Sequence, residues 1–169
     1  MLDARNAPVN VYLSAGSNIA PERYLKMACQ QLESEYGELT LSSVYQNAAF
    51  GFEGDDFLNM VIGFSTREKP EVIIKRLESL HDKAKRKRNS DPFSSRTLDV
   101  DILLYGDLVS GDAPKLPRED IERYGFVLGP LAEVAPELRH PVSGMTMSEI
   151  WADFDRDTHA MQKVEIGIA

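Results

Sequence analysis

Hydrophobic and polar positions change rhythm several times along the chain, and each change marks an element. Val9, Val11, Leu13 and Ala15 alternate with Asn10, Tyr12 and Ser14, the period of two expected of a half-buried strand. Gly16-Ser17-Asn18 breaks the alternation and reads as a turn, and Pro21 follows where a first helical residue belongs. Leu25, Ala28, Cys29 and Leu32 then keep helical spacing until Gly37 ends the helix. Leu39 to Tyr45 predicts a second strand and Phe57 to Thr66 a third, separated by the loop QNAAFGFEGDD at 46–56. Pro70 opens a second helix, with Ile73, Leu77, Leu80 and Ala84 as its buried stripe. A basic run, AKRKRNSDPFSSR, leads into a fourth strand from Thr97 to Tyr105.

The order β-α-β-β-α-β is the ferredoxin-like arrangement, an α+β fold with helices packed on one face of an antiparallel sheet. Beyond it, residues 126–136 predict a short helix. Thr146 and Glu149 form a capping box for a last helix through Trp151, so a C-terminal helical extension follows the core. The end, KVEIGIA, reads either as a strand or as part of a loosely packed tail over 155–169. The 169 residues, 43% of them hydrophobic, suit a single domain, 1–169.

The fourth strand carries the chemistry. Leu98, Val100, Ile102 and Leu104 fall on one face, and Thr97, Asp99, Asp101 and Leu103 on the other. The two carboxylates point the same way from Cα atoms about 7 Å apart. A solvated strand edge is the plainer reading, but both neighbouring faces look apolar. Burying a carboxylate without a partner costs several kcal/mol. A cation removes that cost, and hard oxygen ligands on one face suit Mg²⁺, which is commonly shared between carboxylates and substrate phosphates. An Asp-x-Asp pair recurs in many phosphoryl-transfer sites and singles out none of them.

Upstream lie Lys83, Lys85, Arg86, Lys87, Arg88 and Arg96. The lysines read as a solvated helix end, where cations favour the negative pole of the dipole. Arginines beside a metal-binding pair have a sharper use, clamping a polyphosphate as it transfers. A net charge of −8 argues against nucleic acid or an anionic membrane as partner. The single cysteine, Cys29, excludes an internal disulfide and fits a reducing cytoplasm. No signal peptide and no apolar run of membrane-spanning length is read. Gly16-Ser17-Asn18 is not a P-loop, because no Gly-Lys-Ser/Thr follows it. His81, His140 and His159 lack metal-ligand spacing.

The stretch RTLDVDIL at 96–103 resembles the signature of the 6-hydroxymethyl-7,8-dihydropterin pyrophosphokinase family. Supporting matches follow in order: AGSN at 15–18, SSVY at 42–45, FLN at 57–59, YGD at 105–107, LP at 116–117, GFVLGPLAEVAPEL at 125–138 and HPVSG at 140–144. The resemblance reaches to about residue 151. It implies transfer of the β,γ-pyrophosphoryl group of ATP to the pterin hydroxymethyl oxygen, with release of AMP, in folate biosynthesis. It also implies two Mg²⁺ ions on a ferredoxin-like core.

Carried over by position, Asp99 and Asp101 hold the metals and act in catalysis with Arg86 and Arg96. Glu78, His81, Arg86, Arg88, Arg96, Ile102 and Arg118 then meet ATP. Asn47, Ala48, Phe50, Phe57, Asn59, Phe93 and Phe126 meet the pterin. The chain departs from the family pattern in places. Asn47 and Ala48 replace a common Thr-Pro, and Glu78 and His81 a common Gln and Glu. Phe57 and Phe93 stand where Tyr and Trp are frequent, and Pro92 where a basic residue is. Arg118, Glu119 and Tyr124 replace a common His, Tyr and Arg, so Arg118 is expected to supply the cation lost at 124. The expected partners are ATP and the reduced pterin, with no nucleic acid or membrane, for a monomer in the cytoplasm. Two rival classes stay open: another two-metal nucleotide-dependent transferase or nuclease, and a non-catalytic ferredoxin-like ligand-binding module. The first calls for a basic groove; the second has no use for Asp99 and Asp101 beside arginines.

Overall fold

The computed structural model of the chain describes residues 7–49, 54–85, 97–156 and 160–168. Its core runs β1 (Val9–Ser17), α1 (Pro21–Tyr36), β2 (Thr40–Leu41), β3 (Val44–Asn47), β4 (Phe57–Thr66), α2 (Pro70–Lys83) and β5 (Asp99–Tyr105). After it come α3 (Asp120–Arg123), α4 (Gly125–Val134), α5 (Met147–Asp153) and β6 (Met161–Val164). The strands order as β5-β1-β4-β3-β6, with β2 also on β4, and every pairing is antiparallel. β2 and β3 are halves of the expected second strand, so the element order is the ferredoxin-like one.

The predicted helices form for the predicted reasons. α1 buries Tyr24, Leu25, Ala28, Cys29 and Leu32. It stops at Gly37, whose φ of 80° only glycine adopts without strain. α2 buries Ile73, Leu77 and Leu80, and Ala84 just beyond it is also buried. α5 has the full capping box: Glu149 N–H donates to Thr146 Oγ1 at 3.1 Å, and Thr146 N–H to Glu149 Oε1 at 2.9 Å.

Three expectations change. First, the second strand is broken by a bulge. Leu41 lies opposite Ile62 but Tyr45 opposite Asn59, so β3 gains a residue on its partner. Ser42 makes this possible. Its N–H donates to the Val61 carbonyl at 3.0 Å, and its Oγ accepts from Val61 N–H at 2.8 Å, in place of a ladder carbonyl. Second, Leu104 leaves its predicted face. The β1–β5 register shifts between Tyr12 and Leu13, opposite Leu103. Beyond that bulge the alternation is reset. Leu98, Val100 and Ile102 stay under α1 and α2, whereas Leu103 and Leu104 both pack on the other side. Third, helices cover both faces of the sheet. The βαββαβ motif supplies α1 and α2 to one face only. The C-terminal extension lays α3, α4 and α5 on the other, around Val61, Leu103, Leu104, Leu128 and Leu131. α4 spans 125–134, slightly earlier than expected. It is apolar nearly all round, the mark of a buried helix, and it includes Pro130, which has no N–H to offer the Phe126 carbonyl.

Of the two readings left for the chain's end, the described residues show the strand. Met161 to Val164 pairs with Asn47 to Val44, and Ile168 is buried in the core under α1 and α2.

Candidate active site

One end of the second sheet face carries the polar residues that the sequence singled out. Asp99 lies opposite Gly16 and Asp101 opposite Ser14 on β1. Across β1, Gly16 lies opposite Asn59 and Ser14 opposite Val61 on β4. Asp99, Asp101 and Asn59 therefore share the face away from α1 and α2. A side chain at position 16 would push the Asn59 amide from its place. A Cβ there would sit 2.5 Å from Asn59 Oδ1, so the absence of a side chain lets Asn59 lie across β1 towards the aspartate strand. The following turn is a staple rather than a phosphate loop. Asn18 Nδ2 donates to the Asp55 carbonyl at 3.0 Å, tying the end of β1 to the β3–β4 loop.

Among the described residues the aspartate strand is the outermost on its side of the sheet, and His81 supports its outer edge. Val100 N–H, between the two aspartates, donates to His81 Nε2 at 2.9 Å. His81 thus anchors β5 to α2 through an unprotonated ring nitrogen. Glu78, one turn earlier on α2, is exposed. Ile102 is 5% exposed with its side chain in the core, which leaves its main chain for any ligand.

Arg118 arrives from outside the ferredoxin-like motif. Its N–H donates to the Leu103 carbonyl at 3.0 Å, which docks the segment before α3 against β5. Its guanidinium then lies 3.6 Å from Asp101 Oδ2, while its Nε donates to Asp120 Oδ2 at 3.0 Å. Burial disfavours the charged form of Arg118. The carboxylates of Asp101, Asp120 and Asp99 outweigh that and hold its pKa above the ordinary value. Position 118 is where the sequence expected a compensating cation, and the structure sets it against one of the two key acids.

The candidate pterin residues fall into two groups. Asn59 Nδ2 donates to Asn47 Oδ1, and Asn47 Nδ2 donates to the Ala48 carbonyl at 3.1 Å. Asn47 is buried, Phe57 and Asn59 half-buried, and Ala48 exposed. Phe126, near the start of α4, stacks on Tyr124 with ring centroids 5.0 Å apart and planes 16° apart. In the sequence, Tyr124 stands out only as the replacement of a common arginine. Its role as an aromatic partner is signalled by no motif, only by its place two residues before Phe126. Phe50, Arg86, Arg88, Phe93 and Arg96 lie outside the described residues.

The donor set can be tested against a divalent metal. Among the described residues, no three His, Cys, Asp or Glu side chains gather into a metal cage. Asp99 and Asp101 supply carboxylate oxygens from one face, and any remaining ligands must be water or substrate oxygens. That partial, all-oxygen set fits Mg²⁺ working with a nucleotide and fits poorly with a structural Zn²⁺.

An antiparallel α+β core with two carboxylates and a guanidinium at one end suits the class of phosphoryl-transfer enzymes. Comparison with known proteins is more specific. Residues 12–136 match the profile of the 7,8-dihydro-6-hydroxymethylpterin-pyrophosphokinase (HPPK) family. The chain is similar to the 2-amino-4-hydroxy-6-hydroxymethyldihydropteridine pyrophosphokinase of Aquifex aeolicus, with 31% identity over 142 residues covering 82% of this chain and 88% of that protein. It is similar to the enzyme of the same name from Porphyromonas gingivalis, with 35% identity over 138 residues covering 78% and 93%. Its fold resembles the crystal structure of wild-type Plasmodium falciparum HPPK-DHPS with pteroate, at a TM-score of 0.65 and 14% identity. That match covers 89% of this chain and 43% of the longer one. The chain belongs to the 7,8-dihydro-6-hydroxymethylpterin-pyrophosphokinase family, and its ferredoxin-like core is the fold of that family.

Proposed function

We propose that this chain transfers the pyrophosphoryl group of ATP to 6-hydroxymethyl-7,8-dihydropterin, giving the pterin diphosphate and AMP in folate biosynthesis. Family membership supports the reaction. The observation that carries the assignment of the site is the meeting of Asp99, Asp101 and Arg118 at one end of one sheet face.

In this reading Asp99 and Asp101 hold two Mg²⁺ ions, which neutralise phosphate charge and align the reacting groups when bound. Little covalent work falls to the protein in phosphoryl transfer; its groups position the reactants and stabilise charge. Arg118, placed between Asp101 and Asp120, turns to the phosphate oxygens, and Arg86, Arg88 and Arg96 join it by their place in the sequence. The Ile102 main chain, Glu78 and His81 lie along the nucleotide. His81 also keeps β5 in place through Val100. Asn47, Ala48 and Asn59 orient the pterin edge, and Phe57 and Phe126 cover its faces with Phe50 and Phe93. Flat apolar walls with few polar groups suit a pterin.

The reading takes residues 1–169 as one pyrophosphokinase domain, monomeric and cytoplasmic. With Cys29 its one cysteine, the chain can form no internal disulfide, which supports the cytoplasmic part of the reading. No described helix is long and apolar enough to cross a membrane.

The test is to mix protein, ATP, Mg²⁺ and the reduced pterin and to look for AMP and the pterin diphosphate by mass spectrometry. Both products in equal amounts are expected. ATP turnover without the pterin, or ligand binding without AMP, would favour a different nucleotide-dependent transferase or a binding module.

A further inference from the structure

The bulge between β2 and β3 exposes an N–H that the ladder does not use. Glu133, in the last turn of α4, takes it. Ser43 N–H donates to Glu133 Oε2 at 3.1 Å and Oε1 at 3.2 Å, Ser43 Oγ donates to Oε2 at 2.7 Å, and the Tyr45 hydroxyl donates to Oε1 at 2.7 Å. Burial raises the carboxyl pKa, but these hydrogen bonds outweigh it and keep the pKa below the usual range, so the clamp is ionised near neutrality. Both carboxylate oxygens are thus committed to one strand.

What the clamp joins matters. The first turn of α4 carries Phe126, and β3 ends at Asn47, which meets Asn59. These are the two walls of the proposed pterin slot. Apolar packing seats α4 on β4, with Val127, Leu128 and Leu131 around Val61, but its contact with β3 beside Glu133 is incomplete. A cleft of about 240 Å³ lies beside Glu133, bounded by Tyr45, Gly129, Trp151 and Met161. Where apolar contact is incomplete, directional hydrogen bonds set the register of a helix on a strand.

We propose that Glu133, which touches neither substrate, is a positioning residue for the pterin slot: it ties the helix bearing Phe126 to the strand that ends at Asn47, the hydrogen-bond partner of Asn59 on β4. The proposal rests on the pyrophosphokinase reading above. It concerns the pterin half of the site only, because Asp99, Asp101 and Arg118 lie on β5 and before α3, outside the clamp.

The experiment is steady-state kinetics of the full chain with both substrates varied, alongside thermal melting, for wild type, Glu133→Ala, Glu133→Gln and Tyr45→Phe. The clamp lies at the surface, so water takes over the freed donors and the variants fold. Glu133→Ala is expected to raise the pterin KM about tenfold, the size expected for losing charge-assisted hydrogen bonds. Its ATP KM, kcat and melting temperature should stay near wild type. Glu133→Gln keeps one acceptor oxygen and is expected to recover part of the loss; Tyr45→Phe should show a smaller rise. An unchanged pterin KM in Glu133→Ala overturns the proposal. So does a joint shift of both KM values and kcat with a lowered melting temperature, which marks a merely structural role. A wild type that makes no AMP from the pterin overturns the functional reading itself, a result visible before any variant is made.

Discussion

The two ends of the sheet handle charge in opposite ways. At the end near Tyr105, Val11 and Phe64, the ionic groups close on one another. Arg76 donates to Glu68 from Nε at 3.1 Å and from Nη2 at 2.7 Å. The Tyr36 hydroxyl donates to Glu68 Oε2 at 3.0 Å, and the Tyr105 hydroxyl to the Glu68 carbonyl at 2.9 Å. Tyr36 stacks on Phe64 at 4.0 Å, with Arg76 over its ring at 5.8 Å. This cluster ties α1, α2, β4 and β5 together. At the other end, Arg118 stands 3.6 Å from Asp101, while its shorter contact is to Asp120. A two-nitrogen contact at 2.7–3.1 Å is an ion pair that structure uses. A contact at 3.6 Å, beside a second carboxylate on the same face, leaves room for an exchange of partners. Among the described residues, tight closure marks the end that holds the fold, and the longer Arg118–Asp101 contact lies at the end proposed to meet ligands.

The largest expected effect comes from the open end. Asp99→Ala or Asp101→Ala should lower turnover by at least about 100-fold, roughly 3 kcal/mol of transition-state stabilisation. Melting should hardly change, since one of two neighbouring acids is removed. A melting loss without a loss of turnover would break the comparison.

Next is Arg118→Ala. It should reduce kcat/KM for ATP by about 30-fold, near 2 kcal/mol, if the guanidinium meets phosphate as a charged donor. An effect confined to stability would make Arg118 a strut for α3.

A smaller effect, in the other observable, belongs to the closed end. Arg76→Ala should destabilise the fold by about 1 kcal/mol, since the side chain is 40% exposed and solvent screens the pair. Denaturant titration checks this, and turnover of the folded fraction should match wild type.

The smallest is a pH effect from the same pair. Hydrogen bonds from Arg76 hold Glu68 below the usual carboxylate range. A lowered folded pKa contributes stability that is present above the unfolded value and lost as pH falls through the folded one. Wild type should therefore lose this increment on acidification below the ordinary glutamate range, and Arg76→Ala should lose less over the same window. Parallel stability–pH curves would contradict it.

How much of this was legible follows from the range of each signal. Strand alternation placed Asp99 and Asp101 on one face, because that geometry is local. The same rule failed at Leu104, since a bulge opposite Tyr12 and Leu13 is set by the partner strand. Ser42-Ser43 carried the second bulge, but two small polar residues in a strand do not announce that one will replace a ladder carbonyl and the other seek Glu133. α1, α2 and α5 showed themselves by spacing and caps. The covering of the second face did not, because α4 is apolar nearly all round and has no stripe to aim. Arg118 was found through resemblance, and its contact with Asp101 depends on a long-range bond to Leu103. The stack of Tyr124 on Phe126 had no warning beyond the presence of two rings.

The central claim is that Asp99 and Asp101 hold metal together with the nucleotide. Mn²⁺ can stand in for Mg²⁺ and be followed by electron paramagnetic resonance, with a non-hydrolysable ATP analogue present. Wild type should bind two Mn²⁺ per chain in a nucleotide-dependent manner, and Asp99→Asn/Asp101→Asn, still folded by melting, should lose that binding. Equal Mn²⁺ binding by the folded double variant would contradict the account.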